Sequence, residues 1–137
     1  MKRLALGILV AAAAIVPSAF AHHSFSSYYF EDQSMSVEGS VQEFLYRNPH
    51  AWVKIGVPGD QGATITYSAE WAGAGRLERM GITPDTIKPG DVVKITGAPG
   101  RVSAENRLHL KAIERPADGW AWGGFGRDGR DRPRGRR

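Results

Sequence analysis

The stretch MSVEGSVQEFLYRNPHAWVKIGVPGDQGATITYSAE, residues 35–70, decides the fold. Met35, Val37, Gly39 and Val41 share one parity, and the run continues through Phe44-Leu45-Tyr46, which predicts one long first strand. Glycine inside such a run marks a bulge or bend, placed here at Gly39. Pro49 has no amide hydrogen to donate and biases Asn48 away from helix, so Arg47-Asn48-Pro49 is read as a turn. Beyond it Ala51, Val53, Ile55 and Val57 fall on one face of a second strand, and His50, Trp52 and Lys54 on the other. Pro58-Gly59-Asp60-Gln61-Gly62 closes a hairpin onto a third strand, Ala63 to Glu70, carried by Ile65 and Tyr67.

Working outward towards the C-terminus, residues 72–81 change character. Arg76, Leu77, Glu78, Arg79 and Met80 are good helix formers, and Gly81 suits a C-terminal cap, so a short helix is expected there. Turns at Thr83-Pro84-Asp85 and Lys88-Pro89-Gly90-Asp91 precede a fourth strand, Val92 to Thr96. A fifth runs from Arg107 to Glu114. Three strands, a helix and two strands give an all-β class: a small five-stranded Greek-key barrel of the oligonucleotide/oligosaccharide-binding (OB) type, with one short helix between strands 3 and 4. A long first strand with a central glycine is what a strand shared by both halves of such a barrel requires. Five strands in about 80 residues are few for a β-sandwich.

Working outward towards the N-terminus, Lys2 and Arg3 precede an apolar run from Leu4 to Val16, and Ala19-Phe20-Ala21 offers small residues at a cleavage site. This reads as a signal peptide, residues 1–21, cut after Ala21, which addresses the product to the periplasm. The apolar run is too short for a membrane span, which needs roughly 20 residues. Removing 21 of the 137 residues leaves 116, enough for one small core. There is no cysteine, so disulfides, a lipidated cysteine and thiolate metal ligands are all excluded. His22 to Ser36 is an aromatic arm (Phe25, Tyr28, Tyr29, Phe30) whose apolar surface favours packing onto the domain, so the domain is taken as residues 22–115.

The formal charge of +4 is unevenly spread. Six arginines against Asp128 and Asp131 crowd residues 127–137, whereas residues 22–126 hold 10 basic and 12 acidic side chains. A near-neutral domain is no basic groove, so no nucleic-acid partner is expected. Residues 116–137, rich in Gly, Trp and Arg, are expected to be a disordered tail, with weak contact to an anionic membrane surface as its most plausible interaction.

The histidines are the chemically pointed feature. Cleavage after Ala21 would start the chain at His22-His23-Ser24, where the α-amine and ring Nδ1 of His22 can chelate one ion. A further imidazole from His23, His50 or His109 would complete a T-shaped three-nitrogen set, a donor set that favours copper. Against this, His50 follows a proline turn and would serve equally to hydrogen-bond a backbone group. His109, between Leu108 and Leu110, faces away from the core and would serve as a surface residue. Trp52 and Trp71 are the candidate ligand-binding aromatics, with core packing as their alternative. Glu70, Arg76 and Arg79 form either a polar cluster near the helix or separate solvated charges. No nucleophile elbow, phosphate loop or paired carboxylates are present, so no catalytic residues are assigned.

With these residues in view, the chain resembles a family of small exported bacterial proteins with a domain of unknown function. The resemblance is carried by His22-His23-Ser24-Phe25, by Asn48-Pro49-His50-Ala51-Trp52, and by Leu77, Arg79 and Gly81 followed by Ile87-Lys88-Pro89-Gly90-Asp91. It covers residues 22–115 and implies a periplasmic β-rich domain with no established activity. The functional expectation is a periplasmic non-enzymatic binding protein, with copper at the mature N-terminal histidine. A metal-free ligand- or protein-interaction module is the alternative, and a copper-dependent oxidoreductase the third class.

Overall fold

The computed structural model describes residues 24–123. The expected signal peptide and cleavage site, His22, His23 and residues 124–137 lie outside the described residues.

Six strands form one antiparallel-dominated sheet: β1 (Met35–Leu45), β2 (Trp52–Pro58), β3 (Thr64–Glu70), β4 (Val92–Pro99), β5 (Arg107–Arg115) and β6 (Trp120–Gly123). A single helix, α1 (Ala74–Arg79), lies between β3 and β4. The strand order β3-β2-β1-β4-β5 is closed by a parallel β3–β5 pairing, which makes the expected five-stranded OB-type barrel. β1 serves both halves. Met35 to Ser40 pair with β4 and Ser40 to Leu45 with β2.

Gly39 sits where β1 changes partners, and a Cβ there would run into the Gly56 carbonyl. The glycine therefore permits close approach, while the register shift itself falls between Val41 and Glu43. Gly97 does the same for β5, because its missing Cβ makes room for the His109 carbonyl. That pairing fixes where His109 stands on the barrel wall.

Alternation delivers the core. Val53 and Ile55 of β2, Val93 and Ile95 of β4, and Leu108 and Ile113 of β5 are fully buried. Leu77 of α1 joins them with Ile82 and Ile87 from the following loop. The helix has only six residues and no side-chain N-cap, so its ends are held by neighbours. Ala74 N–H donates to the Arg47 carbonyl, and Gly75 N–H reaches the Asn48 side-chain oxygen. At the other end Gly81 adopts φ +79°. There Ile82 N–H donates to Leu77 O and Gly81 N–H to Glu78 O, a closure that satisfies the last carbonyls.

One sequence expectation changes. The chain beyond Pro116 is not tail from its first residue: Asp118 and Gly119 turn it back, and β6 pairs with β5 from Ala112 to Arg115. Trp122 is only 6 % exposed and meets Trp71 edge-to-face at 4.8 Å. Averaging composition over residues 116–137 hid this, because one buried tryptophan anchors a four-residue strand that glycine and arginine would not. The arm packs onto the domain, the arrangement its aromatic content favoured. Tyr29 is buried and bridges to Gly100, and its hydroxyl donates to Glu70.

Candidate functional site

Four segments meet on the barrel: the arm, the β3–α1 junction, the middle of β5 and β6. Between them lies a cleft of about 420 Å³ lined by Phe25, His50, Trp71, Ala72, Gly73, Arg76, His109, Leu110, Lys111 and Trp122. Small-molecule sites typically occupy roughly 300–1,000 Å³.

His50 is placed by the Asn48-Pro49 turn. That turn is clamped because Ala51 and the Trp71–Ala72 segment exchange backbone hydrogen bonds. Gly73 is needed opposite, since a Cβ there would collide with the Pro49 carbonyl. The His50 Nδ1 lies 3.3 Å from the Trp71 carbonyl and 3.4 Å from Glu70 Oε1. Both neighbours are acceptors, so Nδ1 carries the hydrogen and Nε2 the lone pair of the neutral ring.

His109 is placed by β5, in register with Glu70 of β3. Its Nδ1–H donates to Glu31 Oε1 at 2.6 Å, and Lys111 Nζ donates to Glu31 Oε2 at 2.6 Å. The 3.0 Å approach of Lys111 to Nδ1 brings two donors together around one shared carboxylate and is not a further bond. Burial, aided by the Lys111 cation, outweighs the Glu31 carboxylate and holds the His109 pKa below the ordinary imidazole value. Burial opposes ionisation of Glu31 too, but the hydrogen bonds from Lys111 and His109 prevail and lower its pKa. Glu31 is therefore charged, Lys111 is its counter-ion, and His109 is neutral at pH 7 with Nε2 as the free lone pair.

Phe25 joins the two imidazoles. Its ring stacks flat on His109 with centroids 3.8 Å apart and stands edge-on to His50 at 5.4 Å. The Tyr29 hydroxyl is held on Glu70, and burial, then the bond to Glu70, raises its pKa so that it remains a donor.

Of the residues singled out from sequence, His50, His109 and Trp71 come together at this cleft. Trp52 does not. It faces outward from β2 beneath the Arg107 guanidinium and borders a separate shallow hollow that shares only His50 with the cleft. Glu70 pairs with Tyr29 and His50 and not with arginine, so the cluster of Glu70 with Arg76 and Arg79 does not form. His22 and His23 lie outside the described residues. Among the described residues no group of three His, Asp or Glu side chains is placed to hold a metal ion. Phe25, Glu31, Lys111 and Trp122 are site residues that sequence reasoning did not assign, and Arg76 was singled out only for a cluster with Glu70 that does not form. Phe25 stood in the His22–Phe25 motif, and Lys111 carried a signal as the residue two after His109 and therefore on the same strand face.

Comparison with known proteins adds a family. The model of a family of unknown function (DUF6152) matches residues 9–109, and the chain belongs to that family. No curated protein sequence matches it. Among solved structures it is similar to the mitochondrial single-stranded DNA binding protein Rim1 of S. cerevisiae, at a TM-score of 0.46 and 18 % identity. That alignment covers 60 % of this chain and 91 % of Rim1.

Proposed function

We propose that this member of the family is an exported, non-enzymatic binding module, working in the periplasm after cleavage behind Ala21, whose ligand enters the cleft beside Phe25. One observation carries the reading. Aromatic and apolar walls (Phe25, Trp71, Leu110, Trp122) surround a few convergent polar groups at a junction of four chain segments, the usual composition of a ligand pocket. The test is a fragment screen of the isotope-labelled mature chain, with neutral, anionic and cationic aromatic compounds. Shifts confined to Ala72, Gly73, Leu110 and Lys111 amides support the assignment, and a library that leaves all four unmoved refutes it.

A second reading is favoured by the contacts of Phe25. Processing would put the His22 amine three residues before a ring that touches both His50 and His109. Three residues of chain span at most about 11 Å. Both imidazoles have Nδ1–H committed to oxygen acceptors, the arrangement that orients Nε2 as a metal ligand. Copper held by His22 with His50 or His109, or with the adjacent His23, is the corresponding proposal. Cu(II) titration compares the chain starting at His22 with one bearing an extra glycine before it. Loss of tight binding in the extended chain supports the chelate, and equal weak binding by both removes it.

A further inference from the structure

The cleft contains more donors than its fold uses. Trp71 is 1 % exposed and Trp122 6 %, yet neither indole Nε1–H has a hydrogen-bond partner among the described residues. A buried donor without an acceptor costs about 1–3 kcal/mol, and such groups are rare in folded chains. The two rings stand edge-to-face at 67°. In that geometry at most one N–H can point at its partner's π face, so the pair cannot satisfy both donors.

The surrounding charge has one sign. Arg76 lines the cleft and makes no ion pair among the described residues, whereas Lys111 also lines it with Glu31 behind as its counter-ion. No Asp or Glu is among the lining residues. Arg76 and Lys111 line the cleft together with the two tryptophans whose buried indole donors lack partners, and Phe25, Ala72 and Leu110 supply an apolar wall.

We infer that the cleft binds a small organic carboxylate with an apolar body. Its charge meets Arg76 and Lys111, one oxygen accepts from an indole N–H of Trp71 or Trp122, and the apolar body lies against Phe25 and Leu110. Arginine is suited to this because its planar fork offers two parallel donors to a carboxylate. The inference rests on the binding-module reading, names its ligand class and is independent of copper.

The test uses the ¹⁵N-labelled mature chain, stripped of metal with a chelator, and three probes of similar shape: benzoate, benzamide and benzylammonium. The four tryptophans give four indole N–H resonances, and Trp52→Phe and Trp120→Phe identify the two cleft indoles by elimination. Benzoate is expected to move a cleft indole resonance downfield and to bind at least tenfold tighter than benzamide. Arg76→Gln, at an exposed position that leaves the core intact, is expected to weaken benzoate about tenfold, and Lys111→Gln by less because its charge is shared with Glu31. Equal affinity for benzoate and benzamide overturns the inference, as does a benzoate response confined to Trp52 and Trp120 or untouched by Arg76→Gln. Benzamide or benzylammonium binding alone in the cleft would sink the anion assignment and leave the binding module standing. No response to any of the three would sink both.

Discussion

Truncating Phe25 to alanine should loosen the arm and retune His109 together. The ring is half-buried, and complete burial of a phenylalanine side chain is worth about 1.5–3 kcal/mol, so its burial accounts for roughly 1 kcal/mol. The flat stack on His109 and the edge contact with His50 add about 0.5–1.5 kcal/mol as an aromatic pair does. No cavity term enters, because the ring sits at a cleft open to water. The expected loss is about 2 kcal/mol, which in a domain of this size lowers Tm by roughly 10 °C. The electrostatic consequence is more specific. Burial is the leading cause of the lowered His109 pKa, so uncovering the ring should move that pKa up towards its ordinary value. The linkage has a definite sign. A histidine with a depressed folded pKa contributes stability that is complete above its unfolded pKa of about 6.5 and is lost as pH falls through the folded value. Phe25→Ala should therefore flatten the acid limb of the stability profile below pH ~6.5 while lowering the plateau. Urea unfolding at several pH values, with an NMR titration of the His109 ring, measures both. An unchanged His109 pKa in the variant would refute the reasoning even if the protein were destabilised, because Phe25 would then not be what keeps water from the imidazole.

Trp122→Ala should cost about 3 kcal/mol, the low end for a buried aromatic because β6 is an edge strand; a loss under ~1 kcal/mol in urea unfolding would return residues 120–123 to the tail. Arg115 clasps Asp91 and Asp118 at 2.8 Å each and the Thr86 carbonyl at 2.8 Å. Arg115→Gln should cost about 2 kcal/mol at pH 7 as charged hydrogen bonds are lost. The Lys88 N–H, together with Arg115, holds Asp91 below the usual carboxylate range. The wild-type advantage over Arg115→Gln should accordingly be complete above pH ~4 and shrink as pH falls through the lowered value; an advantage independent of pH would contradict it.

The barrel was legible because its information is local. Val53 and Ile55 alternate with Trp52 and Lys54, Pro58 to Gly62 breaks the run, and Gly39 marks the strand that must serve two neighbours. Each of these is decided within a few residues by sterics and burial. The cleft is another kind of object. Trp71 follows β3, Arg76 stands on α1, His109 and Lys111 belong to β5, Trp122 to β6 and Phe25 to the arm. They share a surface only because β3 pairs in parallel with β5 and the arm crosses over that junction. His109 was readable as outward-facing from Leu108 and Leu110, but nothing near it announced that Glu31, 78 residues earlier, would orient its ring. For a related reason the sequence leaves Trp71 open between ligand binding and core packing and puts Trp122 in the tail. A tryptophan reads as core wherever it is buried, and the indole carbon skeleton does pack as core. Whether its N–H is satisfied depends on acceptors brought from elsewhere, and the described residues bring none. The apolar part of each ring answers to the barrel, and its single polar atom is what the proposed ligand would engage. Burial constrains the size and position of these side chains without deciding what their nitrogens meet, which is why the sequence alone leaves both packing and ligand binding open at Trp71.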